Sequence, residues 1–494
     1  MGDTPLRPLG RFYSHTAMAL VNKKAGTVER FNVVRNDLRF YSSLQLTVSY
    51  LVPRSLVRNF GSTQELVYAV LNELLSLHPI LGVTVSSPAA VSWIRLESID
   101  LGKVVKEINS DPQVNLDGII EEGHRETSFE LDGDLPLWRL VLVSPQSGPE
   151  AADEKGEGTV RFAVGIFCHH AIGDGLSTRA FQHTFLGVLN RFITQAPFDK
   201  PTPKVVTVPK LQLLPNLEME TKLHVSFLFV LKEIFSAFVY ARVDSHLWTG
   251  PPISAERPRP PRGSIHSFVL PAPALGKLLS RCREEKTTVT ALISVLVAQK
   301  LALMNRNFCH FTGGIPFSMR KFTDRSFLDM GCYVSSVGVT FSSSPSTHAK
   351  HIPCSSISDL WASARSLKKE MNRQASSIYD QPVGLLKFIA TSEKMKGYFL
   401  GLLGGVRKDA FELSNIGVVG DCLDEELEGK VTIERSLYTQ APCVYGPPYN
   451  FNVVSVKGGG MSIALTWEEE IVKREEAVGI LGWLEAELKG IGRV

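Results

Sequence analysis

His169 and His170 stand side by side, Asp174 follows the second of them by four positions, and Gly175 completes the run Cys168-His169-His170-Ala171-Ile172-Gly173-Asp174-Gly175. An imidazole with an ordinary pKa of about 6.5 moves a proton readily at neutral pH. A carboxylate close by can fix a ring tautomer or brace the turn, and Asp174 need not touch substrate to do either. The chemistry this spacing points to is general-base catalysis. The residues must be held by a strand and a helix. In 160–168 the side chains of Val160, Phe162, Val164, Ile166 and Cys168 share one face of a strand. Continued extension then sends His169 and His170 to opposite sides, so one of them serves a given cleft. Gly175 removes a side chain where the chain turns into a helix, whose apolar series Phe181, Phe185, Val188, Leu189 and Phe192 keeps helical spacing.

The bulk properties narrow the class of protein. At 494 residues, 44% hydrophobic and 21% charged, the chain is globular and long enough for two domain-sized cores. Its 53 basic and 50 acidic residues leave a net charge of +3, which gives no basic field for nucleic acid, although a local patch could still hold phosphate. Seven cysteines without a C-x-x-C pair fit reduced thiols and a cytoplasmic location. Cys168 and Trp138 read as packed residues. His170 and Asp174 have an i, i+4 metal spacing, but no third ligand accompanies them and no metal is expected. The N-terminus has no apolar signal core, and Leu6 stands where myristoylation wants Ser or Thr. The most apolar stretch, 225–241, is interrupted by Lys232 and Glu233 and is too short to span a bilayer. It is expected to pack against its own protein, with contact to a membrane surface as the alternative.

Along the chain, strand-like runs at 44–51, 91–96, 140–143 and 160–168 alternate with helical patterns such as 64–77. The stretch 145–158 reads as a surface loop, and the proline density of 251–263 as a linker. Beyond it come a strand at 265–270, a buried helix over 287–303 started by Thr287 or Thr288, and strands near 311–317, 333–341, 415–419 and 461–467. This α/β order divides the chain into an N-terminal lobe over 1–200 carrying the histidines, a connecting segment over 201–263 and a C-terminal lobe over 264–494. Gly404-Gly405 and Gly458-Gly459-Gly460 read as turns, since neither has the form of a phosphate loop.

Four blocks occur in order: Pro136-Leu137-Trp138-Arg139-Leu140, the histidine run, Pro316-Phe317-Ser318-Met319-Arg320, and Leu413-Ser414-Asn415-Ile416-Gly417. Together they resemble the CoA-dependent acyltransferase superfamily, which includes chloramphenicol acetyltransferase, peptide-synthetase condensation domains and the HxxxD acyltransferases of plants. Arg7-Pro8-Leu9-Gly10-Arg11 and Ser414-Asn415-Ile416-Gly417 are most similar to the fungal alcohol O-acetyltransferase branch, and the plant D-F-G-W-G block has no counterpart. The resemblance implies two similar chloramphenicol-acetyltransferase-like α/β lobes, with mixed sheets flanked by helices and a tunnel between them. It makes His170 the base that deprotonates an acceptor hydroxyl, with His169 and Gly175 as support. It gives Asp174 a structural role, with Arg320 as the partner suggested by motif position. Ser414 and Asn415 polarise the thioester carbonyl or line the tunnel, with turn capping equally open. Acetyl-CoA or another acyl-CoA would be a co-substrate rather than a bound cofactor, the acceptor a small apolar alcohol or specialised metabolite, and the enzyme a monomer. No G-x-S-x-G elbow marks a nucleophile, so direct attack is expected. The alternatives are amine acylation or condensation, another His-assisted reaction on a natural product, and a non-catalytic binding protein with the same fold.

Overall fold

The computed structural model describes residues 23–87, 89, 91–145, 158–194, 203–235, 244–256, 262–344, 351–354, 359–420 and 431–491. The Arg7–Arg11 block and most of the 145–158 loop lie outside these residues.

Two sheets organise the chain. The first has the order Thr432–Gln440, Leu44–Pro53, Thr159–Cys168, Trp138–Ser144, Val105–Asn109, antiparallel throughout except for its last pair. Strand Thr159–Cys168 is central, and at its end Cys168 pairs with Leu44 on one side and Trp138 on the other. The central strand and its neighbours therefore stop level with one another, and the histidines emerge at that common edge. Helices Thr63–Leu77 and Gly175–Thr194 cover one face, joined to the strands by a core that includes Leu46, Val48, Leu66, Val70, Val164, Ile166, Phe181 and Phe185. Gln182 pins the second helix to the sheet: its amide nitrogen, Nε2, donates to the carbonyls of Leu46 and Val164 at 2.8 Å each.

The second sheet runs Gly263–Leu270, Met461–Glu468, Tyr449–Val456, Phe411–Val419, His310–Ser318, Val334–Ser342, Ile352–Pro353, with Leu247–Trp248 pairing beside His310–Ser318. Its parallel and antiparallel pairs are mixed. Helix Val289–Met304 lies in its core, buried all round except at its last turn, and Thr288 caps it by accepting from the Ala291 N–H at 3.2 Å. The two-core α/β arrangement expected from the alternation of patterns is present.

The halves are not laid side by side as a cut at a single position would divide them. Strand Thr432–Gln440, from the second half of the sequence, forms the edge of the first sheet and pairs with Leu44–Pro53. Its polar run gave no strand expectation. Several of its residues, Ser436 and Thr439 among them, are buried because it lies where the sheets meet. Gln440 reaches across that junction, its amide donating to Glu412 at 3.2 Å and Asn452 at 3.1 Å. Leu437 packs there with Phe167, Ile265 and Ala464.

One expectation is corrected. Within the apolar stretch, the helix Phe227–Phe235 does not bury its apolar face: Phe227 is 74% and Leu228 77% exposed, and Leu231 and Phe235 are exposed as well. The apolar run broken only by Lys232 and Glu233 gave the pattern of a core helix, but only one side meets the protein, where Ser226 at its start donates to Asp380. Residues 236–241 lie outside the described residues. The glycine pair and the glycine triplet do form turns, with Gly404 and Gly458 at φ of 73° and 70°.

Candidate active site

The central strand ends at Cys168, and the main chain then turns rather than extending. The His169 N–H donates to the Leu137 carbonyl at 3.0 Å, and Ile172 N–H returns to the His169 carbonyl at 3.1 Å. The extension expected past Cys168 is thus replaced by a turn, and the two imidazoles differ in exposure. His169 is fully buried, its Nδ1 accepts from the Ala171 N–H at 2.9 Å, and its ring meets Phe129 edge-on with centroids 5.5 Å apart. Burial holds it neutral by lowering its pKa to about 3, with the nearby charge of Arg35 acting in the same sense. His170 is half-buried, surrounded by protein yet still open on part of its surface. Burial and then Arg35 lower its pKa to about 4, against the opposing pull of its own backbone and of Asp174. Cys168 and Trp138 are core residues; the indole N–H donates to the Leu81 carbonyl at 2.8 Å, and burial pushes the Cys168 thiol far up.

Asp174 begins the helix Gly175–Thr194. One carboxylate oxygen accepts from the Ser177 N–H and hydroxyl, both at 3.0 Å, which is the bonding of a helix N-cap. The other accepts from Arg320 Nη1 at 2.7 Å and from the Tyr333 N–H at 3.0 Å. Burial alone would raise this carboxyl, but the Arg320 charge and these donors override it and hold it below the usual range. Arg320 is itself buried, and its Nη2 donates to Ser177 Oγ at 3.1 Å and to the carbonyls of Asp329 and Gly331 at 3.0 and 3.1 Å. The carboxylate is thus fully occupied in joining the motif turn to the second lobe.

Gly175 lies against that lobe too. A Cβ there would stand 2.6 Å from Ile416 Cγ2 and 2.8 Å from Tyr438 Oη. Ser414 is buried beside Tyr438, whose phenol is pushed up by burial against the opposing pull of the Ser414 hydroxyl. Asn415 accepts from the Gly417 N–H at 2.9 Å, donates to Thr290 Oγ1 at 3.0 Å, and marks a register shift in its strand, where Gly417 has φ 83°. The structure therefore gathers His169, His170, Asp174, Gly175, Arg320 and Ser414 around one junction, with Asn415 shaping the adjoining bulge.

Several neighbours of His170 had no sequence signal. Cys332 places Sγ 3.6 Å from its Nδ1, and the Tyr41 ring lies 5.9 Å away, centroid to centroid. Arg35 stacks on Tyr41 at 4.2 Å. Glu412 borders the same region, its carboxyl raised by burial to about 7. Of the residues missed, only Ser177 was legible, since a hydroxyl three residues after Asp174 at a helix start is a capping pattern. Among the described residues no group of three or more His, Cys, Asp or Glu side chains is placed to hold a metal ion.

Two α/β lobes, the second lending a strand to the first sheet, with a histidine-bearing turn at their junction, define a chloramphenicol-acetyltransferase-like fold. Solved structures agree. TRI3 trichothecene 15-O-acetyltransferase from Fusarium sporotrichioides superposes with a TM-score of 0.67 at 12% identity, covering 96% of this chain and 95% of that one. The first condensation domain of the CDA synthetase gives 0.59 at 12% identity, covering 96% of each. Residues 94–488 match the alcohol acetyltransferase family, and the chain belongs to that family. It is 24% identical to the probable alcohol acetyltransferase crmB of Aspergillus fumigatus, over 91% of this chain and 95% of the relative. It is also 24% identical to the probable alcohol acetyltransferase FCK4 of Fusarium pseudograminearum, over 72% of each. The protein is therefore an acetyltransferase acting on an alcohol-like substrate.

Proposed function

We propose that this enzyme moves acetyl from acetyl-CoA to the hydroxyl of a small apolar alcohol, a specialised metabolite, in the cytoplasm. His170 Nε2 takes the hydroxyl proton as the oxygen attacks the thioester carbonyl. When the tetrahedral intermediate collapses, the C–S bond breaks and the imidazolium returns the proton to the departing thiolate, giving the ester and free CoA. Donor and acceptor meet at His170 from opposite ends of a tunnel between the lobes, so no acyl-enzyme forms. His169 is the buried support, and Ser414 lies beside the reacting centre with Tyr438.

The observation that carries this reading is the contrast between the motif's two polar ends. The His170 ring is partly open, whereas Asp174 has every oxygen committed to Ser177, Arg320 and Tyr333. A pKa lowered to about 4 keeps the base unprotonated at neutral pH. The test is acetyl-CoA with a panel of alcohols, followed by release of free thiol. His170→Ala should retain its melting temperature and lose about 10²- to 10⁴-fold in turnover, with a smaller loss in His169→Ala. Initial-rate lines should intersect. Parallel lines with an acetyl group trapped on the protein, or near-normal turnover in His170→Ala, would reject the mechanism.

A further inference from the structure

The helix Phe227–Phe235 holds one side against the protein and leaves Phe227, Leu228, Leu231 and Phe235 in the open. Positions 227, 231 and 235 recur every four residues and 228 adjoins them, so the four side chains form one stripe along the helix. Exposed apolar side chains are ordinary when scattered, but gathered ones mark a contact surface. The segments packed beside this helix add Tyr379, Phe388, Tyr398 and Val406. Their adjacency is direct: His224 stacks on Tyr379 with centroids 5.7 Å apart, Ser226 bonds Asp380, and Glu233 meets Lys408 at 3.5 Å. Of the sixteen large apolar side chains exposed among the described residues, half therefore belong to one region, and the other eight lie on other elements.

Charge is sorted on the same face. The Glu233 side chain is 18% exposed and sits between two ammonium groups, Lys408 at 3.5 Å and Lys232 at 3.8 Å, whereas Lys232 is 73% exposed. Asp380 is occupied by both the N–H and the hydroxyl of Ser226. On the neighbouring turns Lys387, Lys394 and Lys396 are exposed against the single acid Glu393, and Lys387 Nζ lies 5.3 Å from the Phe388 ring centre. An apolar stripe bordered by free lysines, with its carboxylates already paired, is complementary to a surface that is anionic outside and hydrocarbon within. Among the described residues no single helix is long and apolar enough to cross a bilayer, so this one lies along it.

We propose that the face built on helix Phe227–Phe235 docks on an anionic lipid bilayer, its aromatic and leucine side chains entering the headgroup boundary and its lysines meeting lipid phosphates and carboxylates. Docking does not depend on which alcohol is acetylated, and its test uses no substrate. The full-length protein is floated with vesicles of phosphatidylcholine alone and of phosphatidylcholine with about one part in three phosphatidylserine, while its mass in solution is followed by light scattering. Wild type should bind the anionic vesicles about tenfold more tightly than the neutral ones. The double variant Phe227→Asp, Leu228→Asp should keep its melting temperature and lose about tenfold or more in binding, Lys232→Glu should weaken binding to the anionic vesicles alone, and Leu77→Asp, exposed on another helix, should bind as wild type does. Failure of wild type to float with the anionic vesicles overturns the proposal, as does equal binding by the double variant or equal binding to both kinds of vesicle. A wild-type dimer that the double variant converts to a monomer also overturns it, assigning the stripe to a second copy of the chain.

Discussion

At the scale of single residues, the site depends on burying charges only where each has a partner. Asp174 and Arg320 are both buried and 2.7 Å apart. Removing one member of such a pair leaves the other without compensation, at a cost of about 3–5 kcal/mol. Asp174→Asn should therefore melt earlier and turn over more slowly together, and replacing Arg320 by Met in the same protein should recover part of the stability; calorimetry and initial rates check both. The lowered carboxyl contributes stability above its unfolded pKa and loses it only as pH falls through the lower folded value. For catalysis the sign is set by His170, which works unprotonated. With its pKa at about 4, kcat/KM should stay flat from neutral pH to about pH 5 and fall below that. An acidic limb centred near 6.5 in the pH profile would show an ordinary, solvated imidazole.

At the scale of elements, the start of helix Gly175–Thr194 is where motif, scaffold and second lobe meet. Alanine is ordinarily the better helix former, by about 1 kcal/mol over glycine. At position 175 the balance reverses, because the added Cβ meets Ile416 and Tyr438, both buried and both on strands of the second half. Neither side chain has free space to move into. Gly175→Ala should cost about 1–3 kcal/mol and slow turnover by displacing the Ser414–Tyr438 pair from the histidine turn. A variant more stable than wild type by thermal unfolding would show that the strands yield.

At the scale of the whole molecule, strand Thr432–Gln440 completes the first sheet from the far end of the sequence. The first half then lacks an edge strand of its own sheet, so thermal unfolding should show one cooperative transition, and residues 1–263 expressed alone should fail to give a native-like circular dichroism spectrum. The molecule should also weaken in mild acid. His78, His124, His169 and His170 have pKa values lowered by burial to about 4, 3, 3 and 4. Unfolded histidine binds its proton near 6.5, so from there down to about 4 the unfolded chain takes up more protons and stability falls with pH. Glu29 and Glu412, raised by burial to about 7, and Asp409 and Glu468, raised less, oppose this by holding protons in the folded state, but between pH 6.5 and 5 the four histidine shifts outweigh them. The melting temperature should drop between pH 6.5 and 5, and His124→Gln, which removes one such group outside the histidine turn, should shallow the slope.

Much of this was written locally in the chain. The alternation in 160–168, the helical spacing after Gly175 and the Thr288 cap are short-range patterns, and the elements formed where those patterns lie. The order of the motif blocks suggested Arg320 beside Asp174 because both belong to recognisable runs. Other features had no local signature. Asn32 meets Cys332 across 300 positions, and Cys332 meets His170 across 162, contacts created by the chain's path between lobes. The exposure of Phe227 and Leu228 and the burial of Ser436 run against side-chain polarity, since packing between whole elements decides which faces are covered. Sequence alone determined which residues could do chemistry and which elements would carry them. Only the tertiary structure decided which imidazole is open and what holds it, because those contacts join segments whose spacing along the chain does not constrain their distance in space.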